Sequence, residues 1–199
     1  LKNHPKIKEF TTIWMDTIRN GEFGLSNTNK LVRFYSGCTG LKTGFTSGAG
    51  YCLSATAKRE GMELIAVVMG CETSKERNAA CKQLLDYGFA NFAYIAPALP
   101  EGATVPVTLG KADSVQAVPA GDMGLLIDKT QKNSVTTELK LEESVDAPVS
   151  RGQRVGTMTV RSGEQILAQV PLVAANGVER LNWGDLFVRT LRRVAMAGA

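Results

Sequence analysis

The sequence has few of the groups that hold metals. Its 199 residues include one histidine, His4, and four cysteines, Cys38, Cys52, Cys71 and Cys81. None of these forms a Cys-x-x-Cys pair, so a zinc site is not expected, nor any other metal or cofactor. Apolar runs long enough to cross a bilayer as a helix, roughly 18 residues or more, are also lacking. The net charge is +4, with no long basic run and no aromatic ladder between the basic residues, which excludes nucleic acid as a partner. Clear internal repeats and low-complexity tracts are absent. So is an initiator methionine. The opening Leu1-Lys2-Asn3-His4-Pro5 is neither a signal peptide nor a natural start, and the chain is expected to begin partway through a longer protein.

What remains is ordinary for a folded protein. Apolar residues make up 44% and charged residues 21%, and the length accommodates two small domains. An even cysteine count permits two disulfides in three connectivities; the alternative is buried free thiols, which the apolar strand pattern around Cys52 favours.

Helical spacing of Ile7, Phe10, Trp14, Met15 and Ile18 predicts a helix over 4–19, with Trp14 and Met15 in the core. The polar Ser26-Asn27-Thr28-Asn29 reads as a loop. Residues 50–59 and 62–69 predict an antiparallel hairpin turning at Arg59-Glu60-Gly61. The second strand is almost continuously apolar, which implies a central strand covered on both faces. Thr73 and Glu76 form a capping box opening a helix with the stripe Ala80, Cys81, Leu84 and Leu85, and Gly88 as its C-cap.

Pro97, Pro100 and Gly102 mark a linker. Beyond it helical periodicity stops, and strand-like runs recur at Thr104–Leu109, Gly124–Ile127, Ser134–Leu141, Arg154–Arg161 and Gln165–Val173, with a hairpin turn at Ser162-Gly163-Glu164. This is the pattern of a small all-β sandwich or barrel. From Asn182 to Ala199 the residues Trp183, Leu186, Phe187, Leu191 and Val194 share a helical face, while Arg189, Arg192 and Arg193 lie largely off it. Such a basic amphipathic helix either lies in a membrane interface or docks on its own domain. The expected division is therefore residues 1–95, an all-β domain over 96–180, and an amphipathic helix over 181–199.

One motif carries chemistry. Lys42-Thr43-Gly44 fails as a nucleotide loop, because Leu41 stands where glycine is needed before the lysine. Gly48-Ala49-Gly50 fails as a dinucleotide fingerprint, because Leu53 stands at the third glycine. Placed on a strand, Lys42 offers a cation, Thr43 a hydroxyl and Gly44 a bare backbone, with Lys42 and Gly44 facing one way and Thr43 the other. An extended peptide with a free carboxylate would use all three.

The flanks are more specific. Gly40-Leu41-Lys42-Thr43-Gly44, Thr46, Ala49–Leu53, Gly61–Gly70, Arg77 and Leu84–Phe89, with His4-Pro5 and Asn27–Leu31 upstream, resemble the low-molecular-mass penicillin-binding proteins. These are the serine D-alanyl-D-alanine carboxypeptidases of the S11 peptidase family. Ala147-Pro148-Val149 and Gly152–Gly156 are similar to that family's C-terminal β domain. The resemblance implies an α+β fold: the closing part of a transpeptidase-like catalytic domain (1–95), the all-β domain (96–180), and the amphipathic helix (181–199) as a possible membrane anchor.

It also implies acyl transfer by a Ser-x-x-Lys nucleophile assisted by Ser-x-Asn. Neither motif occurs in this chain. No catalytic residue is therefore assigned, the chain alone is expected to be inactive, and the nucleophile is expected upstream of it. By resemblance Lys42, Thr43, Gly44 and Arg77 bind substrate. Lys42 holds the anionic end, Thr43 and Gly44 lie along the peptide, and Arg77 recognises the terminal carboxylate. Phe45 departs from the histidine common in the family, and Thr28 stands where some relatives carry an arginine. A surface Arg77 paired with Glu76 or Asp86 is the plainer alternative. The implied partners are peptidoglycan stem peptides ending in D-Ala-D-Ala, β-lactam antibiotics, the N-terminal part of the same protein, and a membrane surface, on the outer face of the bacterial cytoplasmic membrane. A non-catalytic module binding peptidoglycan or a partner is the alternative from another class.

Overall fold

The computed structural model describes residue 1 and residues 3–197, the side chains of 192–197 excepted. In chain order it comprises α1 (Ile7–Thr11), β1 (Met15–Ile18), β2 (Phe23–Ser26), α2 (Leu31–Phe34), β3 (Cys38–Thr46), β4 (Gly50–Arg59), β5 (Met62–Cys71), α3 (Ser74–Asn91) and β6 (Phe92–Ile95). There follow β7 (Thr104–Thr108), β8 (Ser114–Pro119), β9 (Leu125–Asp128), β10 (Val135–Leu141), β11 (Val145–Asp146), β12 (Arg154–Ser162), β13 (Gln165–Ala174) and α4 (Trp183–Ala197). This mixed α+β chain divides into two compact units: Leu1–Tyr94 with Leu126–Thr130, and Ile95–Leu125 with Gln131–Ala199.

The first unit departs from expectation at its start. Instead of one helix over 4–19, the chain forms α1 and then the hairpin β1–β2, registered from Met15↔Ser26 to Ile18↔Phe23. The reason is local. Arg19, Asn20 and Gly21 take φ of 53°, 55° and 96°, the positive values that Asn-Gly tolerates in a tight hairpin. The β-branched Thr11, Thr12 and Ile13 also disfavour helix. Nor does the core include Trp14 and Met15. Trp14 is half-buried, edge-on to Phe34 at 5.9 Å, and Met15 is 66% exposed.

The central element is an antiparallel sheet in the order β3-β4-β5. The β4–β5 hairpin turns between Arg59 and Met62, as its Glu60-Gly61 predicts; both residues have positive φ. However, β4 is the middle strand and β5 an edge. Ile65, Val67 and Met69, alternating on one face of β5, are 63%, 58% and 73% exposed. A continuous apolar run means that both faces are apolar. It does not mean that this chain covers both.

The other face of the sheet is covered by α3. Thr73 and Glu76 cap it reciprocally, each side chain accepting from the other's backbone N–H. Arg77, Cys81, Leu85 and Gly88 form its buried stripe, and Leu53, Ala55, Ala57 and Ala66 of the sheet lie in the same core as Cys81 and Leu85. Two expectations change here. Leu84 is half exposed, and Gly88 does not end the helix, which runs on to Asn91. Gly88 lies against Leu64, where a Cβ would collide, so the glycine serves close approach. Tyr35 closes the cluster from α2's C-terminal end. Its hydroxyl donates to Asp86 Oδ1 at 2.9 Å and the Arg59 guanidinium lies over its ring at 4.4 Å. Burial, together with the bond to Asp86, raises the Tyr35 hydroxyl to about 12. All four cysteines are free thiols, and Cys81 alone is fully buried.

The second unit is a sheet in the order β10-β12-β13-β8-β7-β11, with β11 parallel to β7 and the other pairs antiparallel. Val105, Val115, Val155, Met158, Val160 and Leu172 form the centre of its core, each at most 3% exposed. Gly163 and Glu164 make the two-residue turn between β12 and β13, with Gly163 at φ +57°. The run near 124–127 forms β9, which pairs with β6, and Leu126–Thr130 belongs with the first unit. β8 and β11 form in addition to the strands expected from the sequence.

In α4 the inward Arg189 pairs with Asp113 and donates to the Gly110 carbonyl at 3.4 Å. Trp183, Phe187 and Leu191 face outward, 88%, 68% and 58% exposed. The side chains of Arg192, Arg193 and Val194, part of the predicted pattern, lie outside the described residues. Among the described residues no helix is long and apolar enough to cross a membrane.

Two measurements test this packing. Leu85→Ala lowers unfolding free energy in urea by about 3 kcal/mol, whereas Leu84→Ala costs under about 1 kcal/mol. Tyr35 keeps its proton in the native state to higher pH than in the unfolded chain. Its contribution is therefore full below pH 10 and is lost as pH rises toward 12. Thermal melts should steepen their decline over that window, and Tyr35→Phe should flatten it.

Candidate substrate-binding site on the Lys-Thr-Gly strand

The Lys-Thr-Gly triplet lies in the outer half of β3, paired with β4 as Lys42↔Ser54, Thr43↔Leu53 and Gly44↔Cys52. Strand alternation separates the three side-chain positions. Lys42 and Gly44 are exposed, and Thr43 is half-buried on the face shared with Leu53. Lys42 Nζ donates to the Thr43 carbonyl at 2.5 Å. Its cross-strand neighbour Ser54 is not followed by lysine three residues on, so the pair does not recreate the absent nucleophile motif.

Two glycines of β3 have different causes. Gly40, at φ +119°, lies against Thr11, where a Cβ would come within 2.5 Å of the threonine Cβ. It permits the close approach in which Thr11 Oγ1 donates to the Thr39 carbonyl at 2.7 Å. Gly44 has no such cause. An added Cβ would meet only the Cys52 Cβ, at 3.9 Å, an ordinary contact. The fold does not require glycine at 44, and its exposed backbone is open to a ligand.

Arg77, in the first turn of α3, is only 4% exposed. Its Nη2 donates to the Thr28 carbonyl at 3.1 Å, and Nε and Nη2 donate to Asn78 Oδ1 at 3.3 and 3.2 Å. These acceptors are neutral. The surface alternative for Arg77 is not what the chain adopts: Glu76 caps the helix, and Asp86 receives Lys82 and the Tyr35 hydroxyl. A buried cation without a carboxylate, at the helix end whose dipole disfavours it, costs stability. Cys81, four residues on, is no nucleophile. Burial pushes its thiol up to about 11, although Arg77 pulls it down.

The residue that joins these parts is Thr28, in the loop between β2 and α2. Its Oγ1 lies 2.7 Å from Thr43 Oγ1, while its carbonyl accepts from Arg77. The loop is held by its asparagines. Asn27 Nδ2 donates to the Ile13 carbonyl at 3.0 Å, Asn27 Oδ1 accepts from the Asn29 N–H at 2.9 Å, and Asn29 Oδ1 accepts from the Leu31 N–H at 3.1 Å. Alternating Asn-x-Asn before a helix was the one signal that this loop is rigid. Phe45 packs on Tyr51 at 4.4 Å between ring centroids, and the Arg77 guanidinium lies 6.0 Å from the Tyr51 ring.

A sequence model described as D-alanyl-D-alanine carboxypeptidase matches residues 1–73, and one described as the C-terminal domain of penicillin-binding protein 5 matches residues 98–180. The D-alanyl-D-alanine carboxypeptidase DacF of Bacillus subtilis is 33% identical over 198 residues, which is 96% of this chain and 51% of that protein. The chain belongs to the D-alanyl-D-alanine carboxypeptidase family. DacA of Escherichia coli, another member, is 34% identical over 147 residues, 72% of this chain and 36% of that protein. Penicillin-binding protein 5 from Haemophilus influenzae superposes with a TM-score of 0.71 at 30% identity, covering 90% of this chain and 53% of that one. This family member spans about half the length of the first relatives it matches.

The role of Arg77 in holding the loop is open to measurement. Arg77→Met leaves the Thr28 carbonyl without its donor. It should cost about 2 kcal/mol and raise amide hydrogen exchange across 27–31. Unchanged exchange there would show that the arginine does not hold this loop.

Proposed function

We propose that this chain supplies the substrate-holding wall of a serine D-alanyl-D-alanine carboxypeptidase. That enzyme removes the terminal D-Ala of peptidoglycan stem peptides. The observation that carries this reading is the Lys-Thr-Gly strand with an exposed glycine the fold does not need, set beside a buried arginine without a carboxylate. A peptide ending in a carboxylate lies along β3. Gly44 lets its backbone approach, Thr43 donates a hydroxyl to its anionic end, Lys42 adds a point charge, and Arg77 contributes its charge from beneath the strand.

In this reading the serine nucleophile comes from polypeptide outside the chain. It attacks the D-Ala-D-Ala amide, D-Ala leaves, and water hydrolyses the acyl-enzyme. The uncovered Ile65, Val67 and Met69 on β5 support this, because they offer an apolar face on which the rest of a catalytic domain can pack. β-Lactams, which present a carboxylate beside a reactive amide, are expected at the same wall. The work is extracytoplasmic. The outward Trp183, Phe187 and Leu191 of α4 support contact with the outer surface of the cytoplasmic membrane.

The test is covalent labelling with fluorescent penicillin. The 199-residue chain alone should form no adduct, and the full-length protein should label on a serine outside it. Labelling of the isolated chain on its own serine would sink the assignment. In the full-length protein Gly44→Ala should slow labelling about tenfold with an unchanged melting temperature. An unaltered labelling rate would remove Gly44 from the site.

A further inference from the structure

The hydroxyl pair Thr28–Thr43 has a direction that a ligand would set. Either oxygen is able to donate across their 2.7 Å separation. A carboxylate only accepts hydrogen bonds, so Thr43 binds one only if its own proton is free to point outward. Its oxygen must then accept from Thr28. The order becomes Thr28 O–H to Thr43 Oγ1, and Thr43 O–H to the carboxylate, each bond polarising the next.

Thr28 is placed to do this reproducibly. Its carbonyl is held by Arg77, and Asn27 and Asn29 brace the loop on either side. The side chain is exposed, while its neighbour Asn29 is only 1% exposed. The hydroxyl is therefore mounted on a rigid loop without being needed to fill the core. Thr28 has no other hydrogen bond from its side chain among those described.

We propose that Thr28 is a positioning residue that orients the Thr43 hydroxyl as a donor, and so sets the site's preference for ligands ending in a free carboxylate. This rests on the acyl-transfer reading, and the experiment separates the two. It uses the full-length protein and a peptide ending in D-Ala-D-Ala, with the C-terminal amide of the same peptide as a competitive inhibitor. Binding of the amide is then measured whether or not it is cleaved. Thr28→Val is nearly isosteric and keeps the carbonyl that Arg77 holds.

The expected result is a rise of about fivefold in KM for the carboxylate peptide, with kcat and the inhibition constant of the amide each within about twofold of wild type. Thr28→Ser, which restores the hydroxyl, should return KM to the wild-type value. Thr28→Ala gives the same split as Thr28→Val if the valine variant folds poorly. Equal weakening of carboxylate and amide, or an unchanged KM, overturns the proposal and leaves the acyl-transfer reading in place. A wild-type protein that turns over no D-Ala-D-Ala peptide overturns both.

Discussion

The site depends on how closely α3 lies on its sheet. Small residues make that possible. Gly88 meets Leu64 with no room for a Cβ, and Cys81, Ala55 and Ala57 are fully buried between helix and strands. The helix is pinned at its other end by the Thr73–Glu76 box, so its first turn has one position. That position puts a guanidinium against the loop before α2, whose Thr28 in turn meets Thr43 of β3. Widening the helix–sheet gap would withdraw Arg77 from Thr28, and Thr28 from Thr43.

A buried cation beside an open strand edge is an unstable arrangement unless something anionic uses it. Hydrogen bonds to the Thr28 carbonyl and the Asn78 amide orient Arg77 but do not neutralise it. The charge therefore adds to the local positive potential beside Thr43, where the dielectric is lower than in water. Lys42 adds to it from the solvent side, where screening makes it weaker but long side-chain reach makes it adaptable. The second unit has its own core and its own helix. The helix anchors through Arg189 and turns Trp183 and Phe187 to the outside.

Much of this was legible from local patterns. The capping box, the β4–β5 hairpin and the β12–β13 turn each rest on short-range chemistry, and each forms where it was expected. The failures share a cause. At residues 15–26 a helical spacing of apolar residues competed with an Asn-Gly turn, and the turn prevailed because no core waited for the helix face. β5 looked central because its residues are apolar on both sides, yet its edge and one face lie open. Gly88 looked like a helix stop, but here it lies inside α3 where the helix meets the Leu64 side chain. Thr28 looked like ordinary loop, because a hydroxyl's importance depends on what faces it across 15 residues of sequence.

The sequence by itself determined the family, the Lys-Thr-Gly strand, the strand-rich second half and the lack of Ser-x-x-Lys and Ser-x-Asn in this chain. These are matters of residue type and short spacing, which folding does not alter. Only the tertiary structure decided that Arg77 is buried rather than on the surface, that Gly44 has room for a Cβ while Gly40 is crowded by Thr11, and that Thr28 joins arginine to strand. Those facts depend on distances between segments far apart in the chain. Such distances arise only when α3 settles onto the sheet and the Asn-x-Asn loop closes over its first turn.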